Sequence, residues 1–330
     1  RRNSSSGSNP IGSQNYGQRP FSHLPAGYKK LCSANLPDPT ILLPNKHFDT
    51  LLYTGNNTDD RDISGLNFQP DWLWIKERSG SNNHLLFNSV NGASVFLNSN
   101  NQNAQGSDAN ALQAYNSNGF QIGTSSELNG NSETYVAWNW NGGGSTVTNN
   151  DGSISSQVRA NASAGFSIIG YTGTGGAGTI GHGLGVAPKV AIVRRRDNAS
   201  DWAVYHGEIG NTKRLVLNSI AAESNASASW WNNTSPTSTT ISLGSDAGTG
   251  GTTDTYIVYA FSEVAGYSKF GSYTGNGNAD GTFVFTGFRP AWVLIKTSSK
   301  TDSWLLMDNK RSTFNVVTQT QAPQSNLADN

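Results

Sequence analysis

Tyr171-Thr172-Gly173, then Pro188, then Val190-Ala191-Ile192-Val193-Arg194 is a sentence this chain writes three times. The other copies are Tyr53-Thr54-Gly55, Pro70 and Trp72-Leu73-Trp74-Ile75-Lys76, and Tyr273-Thr274-Gly275, Pro290 and Trp292-Val293-Leu294-Ile295-Lys296. In each copy the proline stands seventeen residues after the tyrosine, and a second apolar segment opens fourteen residues later, at His84, Trp202 and Trp304. A register held to the residue marks an internal repeat, and a period of about a hundred residues fits tandem β-sandwich units rather than a short-repeat solenoid.

Working outward, the β reading holds along the chain. Unit one, 45–144, has strand candidates at Phe48–Tyr53, Trp72–Lys76, Leu85–Phe87 and Tyr135–Trp140. Unit two, 164–265, has them at Phe166–Tyr171, Lys189–Arg194, Trp202–His206, Arg214–Leu217 and Tyr256–Phe261. These runs are rich in β-branched and aromatic residues and are bounded by Gly, Asn, Asp and Ser. No window carries apolar residues at helical spacing for three turns. The sequence therefore predicts an all-β fold of tandem, jelly-roll-like sandwich units, two complete and one partial, without substantial helix.

Unit three, 266–330, is the partial one. Phe283-Val284-Phe285 and Trp292–Lys296 read as strands, but the late Tyr strand, 65 and 68 residues past the proline in units one and two, has no counterpart before Asn330. Either the chain is a piece of a longer polypeptide or a neighbouring subunit completes the sheet. An isolated chain is expected to be unstable or sticky around Phe283, Phe285, Trp292, Ile295 and Trp304, since each large apolar side chain left uncovered forgoes roughly 1.5–3 kcal/mol. Residues 145–163 read as a flexible polar linker. Residues 1–44 read as an irregular arm, with Pro20, Pro25, Pro37 and Pro39 blocking helix and central strand.

Composition narrows the function classes. Charged residues make up 13% of 330 residues, about half the usual share of about 25%, and 22 basic residues balance 22 acidic ones. A nucleic-acid partner is not expected, because phosphate binding needs a concentrated basic surface. The run Arg194-Arg195-Arg196, followed by Asp197, reads as a solvated strand end. Cys32 is the single cysteine, so neither an internal disulfide nor a cysteine zinc site can form. No apolar stretch reaches the roughly 20 residues of a membrane-spanning helix, and no membrane insertion is expected.

The motifs that mimic chemistry fail on context. Gly173-Thr174-Gly175-Gly176-Ala177-Gly178 matches a dinucleotide fingerprint, but a helix would have to follow and a glycine-rich stretch follows instead. Asp60 to Asp71 mimics a calcium loop without flanking helices. The five histidines, His23, His47, His84, His182 and His206, form no metal-hydrolase motif. No catalytic residue, cofactor or metal is assigned. Trp72, Trp74, Trp202, Trp292 and Trp304 sit in matched strands and belong to a core. Trp230 and Trp231 lie in a Ser/Asn-rich context, where strand alternation would expose one ring as a glycan-stacking or subunit contact.

One resemblance adds to this. Phe166-Ser167-Ile168-Ile169-Gly170-Tyr171-Thr172-Gly173, Gly181-His182-Gly183-Leu184-Gly185-Val186-Ala187-Pro188-Lys189 and Asp201-Trp202-Ala203-Val204-Tyr205-His206 resemble a repeat of tail-fibre-like structural proteins of marine tailed phages, notably cyanophages. So do Tyr267 to Gly277 and Gly287-Phe288-Arg289-Pro290-Ala291-Trp292. Asn15-Tyr16-Gly17-Gln18-Arg19-Pro20-Phe21 with Pro25-Ala26-Gly27-Tyr28-Lys29 looks like the exit of a SPRY-type sandwich carried by those proteins. The resemblance implies a non-enzymatic virion protein made in the host cytoplasm: a tail fibre or other appendage that presents host-binding surface. It also implies a homo-oligomer, commonly a trimer, with other virion proteins and a host surface glycan as further partners. A free-standing carbohydrate-binding array and a polysaccharide-degrading tailspike are the alternatives.

Overall fold

The computed structural model describes residues 39–329. The SPRY-like segment at Asn15–Lys29, Cys32 and most of the arm expected over 1–44 lie outside the described residues. The fold is nearly all β, and the longest helix among the described residues has five residues.

Unit one contains β1 (Phe48–Thr54), β2 (Arg61–Ser64), β3 (Trp72–Glu77), β4 (Leu85–Asn88), β5 (Gly92–Leu97), β6 (Gly106–Ser107), β7 (Leu112–Asn116), β8 (Gly119–Ile122), the short helix α1 (Ser126–Asn129) and β9 (Thr134–Trp140). Its main sheet runs β1-β9-β3-β4-β5-β6, and β2-β8-β7 forms a small second sheet. Next come β10 (Val147–Asn149) and β11 (Ser156–Asn161). They occupy the segment expected to be a flexible linker, and they extend the main sheet of unit two instead. Alternating apolar residues explain the difference, since Ile154 and Val158 point into the core of unit two.

Unit two repeats the plan. It has β12 (Phe166–Thr172), β13 (Gly178–Gly181), β14 (Val190–Arg195), β15 (Trp202–His206), β16 (Lys213–Val216), β17 (Ser224–Asn225), the helical turn α2 (Ser227–Trp231), β18 (Thr240–Leu243) and β19 (Thr255–Phe261). The main sheet order is β10-β11-β12-β19-β14-β15-β16-β17, with β13-β18 as the small sheet. Pro70 and Pro188 precede the matching strands β3 and β14, and the late Tyr strands β9 and β19 sit between matching neighbours. Unit three forms one hairpin, β20 (Trp292–Lys296) with β21 (Trp304–Asp308). Phe283-Val284-Phe285, expected as a strand, is irregular and exposed.

The repeat reaches into the hydrogen bonds. Tyr53 stacks on Tyr135 and Tyr171 on Tyr256, with ring centroids 5.0 and 4.8 Å apart. Tyr135 Oη accepts from the Gly130 amide and Tyr256 Oη from the Gly251 amide, both at 2.9 Å. The inner tyrosines donate to Leu128 and Thr249 carbonyls. The Tyr-Thr-Gly step ends in glycine because backbone crowds it: a Cβ on Gly55 would lie 2.0 Å from the Gly130 carbonyl oxygen, and one on Gly173 would lie 2.3 Å from that of Gly251.

Each complete unit buries one face of its main sheet against its own small sheet, around Phe87, Phe120 and Tyr135 in unit one and Tyr171, Ile241 and Tyr256 in unit two. The opposite faces of the two main sheets pack on each other. Trp72, Trp74, Trp138 and Trp140 meet Phe166, Ile192, Trp202 and Tyr259, and Trp304 and Leu306 of unit three join the same core. Hence β3 and β9 are buried on both sides, and they read as continuous apolar runs rather than alternating ones. The three units are one body with one shared core.

Candidate functional site

The junctions between units carry the most elaborate chemistry. In unit two, Trp202 Nε1 donates to the Asn98 carbonyl of unit one at 2.8 Å. In unit three, Trp304 Nε1 donates to the Val216 carbonyl of unit two at 3.0 Å. In unit one, the matching position is His84, whose ring meets the backbone of Ala322 and Ser325 of unit three. A second set of contacts follows the same cycle. The Gln105 amide bonds the Arg196 carbonyl, the Glu223 amide bonds the Ser298 carbonyl, and the Asp329 amide bonds the Arg78 carbonyl. Unit two sits on unit one, unit three on unit two, and the tail of unit three returns to unit one. Heterologous contacts that repeat and close in this way define a ring, here a quasi-threefold one within a single chain.

The basic residue that ends the apolar run of unit two lies at such a junction. Arg194 is fully buried, its guanidinium 5.5 Å over the Trp202 ring, and Nη2 donates to the Asn103 carbonyl of unit one. Burial pushes it down to about 10. Arg195 pairs with Asp197 and Asp254, both at 2.7 Å, and Arg196 Nε donates to Gln105 of unit one. The expected solvated strand end is thus corrected: the run lies at the seam between units, because unit one covers this end of the sheet. Lys76, the counterpart in unit one, is buried and held down to about 8 by desolvation while its ammonium donates to the Glu77 and Gly80 carbonyls.

His84 is buried as a neutral ring. Its Nδ1 accepts from Trp74 Nε1 at 2.9 Å, and burial lowers its pKa to about 3, with Lys76 and Arg311 adding repulsion. Beside it lies a buried charge cluster. Arg311 pairs with Asp308 at 2.6 Å and with Asp329 at 2.7 Å, and Asp329 also pairs with Arg78. Trp138 Nε1 donates to Asp308, and the Arg311 guanidinium lies 5.3 Å over the Trp138 ring. These bonds fasten the tail of unit three to unit one.

The aromatic pair singled out in the sequence is placed differently from expectation. Trp230 and Trp231 belong to α2, not to a strand, and are 9% and 1% exposed. Strand alternation does not apply to a helical turn. Trp231 Nε1 donates to the Lys213 carbonyl, and Arg214 stacks 3.6 Å over Trp230. The Ser/Asn-rich surroundings concealed a pair of core residues. Among the described residues the exposed aromatics lie instead in unit three: Tyr273, Phe283 (86%), Phe285 (71%) and Phe314.

The mimic motifs resolve structurally. The glycine loop after β12 leads to β13, not to a helix. Asp62 accepts from Asn116, and Asp71 pairs with Arg159 at 2.9 Å, so these two carboxylates of the Asp60–Asp71 stretch hold the fold together. Burial raises the Asp71 carboxyl, with Arg159 acting against the shift. Among the described residues no group of three His, Cys, Asp or Glu side chains is placed to hold a metal ion, and no helix is long and apolar enough to cross a membrane. Neither of two clefts among the described residues gathers such chemistry. One of about 460 Å³ lies between Lys46, His47, Asp71 and Arg159, and one of about 350 Å³ lies where Ile220 and Leu305 meet Ala322 and Leu327. The first contains the structural Asp71–Arg159 pair, and the second is part of the seam between units two and three.

Neither the curated proteins nor the solved structures contain a match to this chain. One family model covers residues 43–330, all three units as a single domain, and on that match the chain belongs to the family described as "Domain of unknown function (DUF7483)".

Proposed function

We propose that the chain is a structural and adhesive component of a bacteriophage virion, in an appendage such as a tail fibre that presents surface to the host cell. The observation that carries this reading is the ring of equivalent contacts. Three copies of one unit are locked through a shared aromatic core and backbone bonds that repeat from seam to seam. Such a body resists shear and proteolysis, because no unit opens without exposing core shared with its neighbours. Its conspicuous polar groups, Arg194, His84 and the Asp308–Arg311–Asp329 cluster, are spent on the seams rather than gathered around a substrate. The phage resemblance of the repeat supplies the virion setting, the other virion proteins as partners and the homo-oligomer, with a trimer favoured. The carbohydrate-array reading loses its candidate platform with the burial of Trp230 and Trp231.

The test is mass spectrometry of purified particles. Peptides from all three units are expected at a fixed copy number relative to the major capsid protein. Their absence from particles, with the protein found free outside cells, would sink the proposal.

A further inference from the structure

Unit three lacks three pairings, and one missing segment accounts for all of them. In unit one, β1 pairs with β9 alone, β2 with β8 alone within its ladder, and β3 takes β9 on the side away from β4. Unit two likewise sets β12 and β14 on either side of β19 and β13 against β18, with β11 added on the outer edge of β12. In unit three, residues 268–274 and 281–285, at the places of β1 and β2, form no strand, and among the described residues β20 pairs only with β21. Phe283 stands seven residues before its proline, as Ile63 does, yet Ile63 is buried under Phe120 of β8 while Phe283 is exposed. Tyr273 is exposed where Tyr171 is buried and stacked on Tyr256.

The occupant has two precedents inside the chain. Gly119–Trp140 and Thr240–Phe261 are both 22 residues long when counted from the first number to the last. Each carries an apolar-x-apolar-Gly step, Phe120 to Gly123 or Ile241 to Gly244, and a Thr-Tyr pair whose tyrosine stands twelve residues after that glycine. The seams specify one more position. Asn88 Nδ2 donates to Oη of Tyr259, the fifth residue of β19, and Asp308 accepts from Nε1 of Trp138, the fifth residue of β9. Asn88 and Asp308 each lie eighteen residues after their proline, and the remaining member of that set is His206 of unit two.

We propose that unit three takes a two-stranded closing segment of this pattern from its own polypeptide, downstream of Asp329. The second strand inserts antiparallel along the free edge of β20 and orders residues 268–274 on its far side. The first strand covers Phe283, and an aromatic residue at the fifth position of the second strand meets His206. An edge of unpaired N–H and C=O groups beside exposed aromatics is a template for such a strand. A source in the same polypeptide follows the two precedents, in which each unit is closed by its own later residues.

The test grafts a second copy of residues 224–264 directly after Asp329, because the Asp329 and Glu223 amides make equivalent seam contacts. In the grafted chain, amide exchange at 268–274 and 292–296 is expected to slow by about 100-fold or more, as open segments join a cooperative unit, and binding of an apolar dye to fall. As a guard against a misfolded graft, a synthetic peptide of residues 236–264 is added to the unmodified chain, with the same protection expected. Absence of protection in both formats overturns the proposal. So does an unmodified chain that dimerises with those amides already protected, which would make a second copy the occupant. Peptide mapping of the protein from its natural source should find the apolar-x-apolar-Gly and Thr-Tyr steps, twelve residues from glycine to tyrosine, after residue 330; a natural polypeptide without them also overturns it.

Discussion

Units two and three begin alike and end differently. Both carry the Tyr-Thr-Gly step, the proline and two apolar runs, and in both the second run opens with a tryptophan that donates to the preceding unit. In unit two the first tyrosine strand pairs over its whole length with β19. In unit three the same kind of sequence, Tyr267 to Thr274, forms no strand. Local pattern is therefore insufficient: a strand is a partnership, and its preference for the extended state is realised only where a neighbour takes its hydrogen bonds and covers one face. The hairpin β20–β21 persists because its partner is local and because Trp304 and Leu306 sink into a core that units one and two already build.

The sharpest way to break this comparison is to remove the matching tryptophans. Trp202→Ala is expected to cost about 3–5 kcal/mol, the range for a large aromatic deleted from a rigid core, since Trp202 is framed by Tyr259 and Arg194. Trp304→Ala should cost less, about 2–3 kcal/mol, because the thin hairpin around it can collapse into the space. Chemical denaturation of both variants checks this, and equal losses would show that unit three is as rigid as unit two.

Next in size is the tail clasp. Asp308→Ala leaves the buried Arg311 with one carboxylate and strands Trp138 Nε1. Breaking a buried pair on one side costs about 3 kcal/mol or more. Limited proteolysis should then cut within 309–329 before either complete unit is touched.

Acid should act on the same seam. His84 is neutral when folded, with its pKa lowered to about 3 from 6.5. The unfolded chain takes up this proton near 6.5, so the contribution is intact above that pH and is lost progressively as pH falls toward 3. Each pH unit in this window costs about 1.4 kcal/mol. The Glu77 carboxyl, pushed up by burial and by Glu133, opposes the trend. Urea midpoints of the wild type at pH 7 and pH 5, set beside those of His84→Gln, should show a flatter pH response in the variant.

The smallest effects separate seam from surface. Tyr259→Phe removes the bond from Asn88 across the seam between units one and two and should cost about 1 kcal/mol. Phe283→Ser changes an exposed side chain in unit three and should move stability by less than about 0.5 kcal/mol while lowering apolar-dye binding. A large loss from Phe283→Ser would mean that this residue is already covered.

Much of the architecture was legible in the residues. Alternation and apolar runs placed β1, β3, β4, β9, β12, β14, β15, β16, β19 and β20, since a buried strand announces itself through β-branched and aromatic residues between turn formers. The helical turn at Trp230 was not legible, because five residues are too few to display a period. Nor was the order of β10 and β11, where the Ser/Asn-rich composition that reads as a linker also suits an edge strand. The seam residues Arg194 and His84 left no signal beyond their place in the repeat. The recurrence of Lys76, Arg194 and Lys296 at the end of each run marked the position, but not the neighbouring unit that covers Arg194.

The sequence by itself determined the all-β class, the repeat and its register, because these follow from side-chain periodicity and turn chemistry within short windows. Only the tertiary structure decided that the repeats close on one another instead of stringing out. That choice depends on which face of each main sheet finds a partner, and sequence periodicity is silent on whether Trp72 and Trp74 bury against their own unit or the next. They bury against the next, with Trp72 stacked 4.2 Å from Tyr259 of unit two, because each complete unit already covers its other face with its own small sheet.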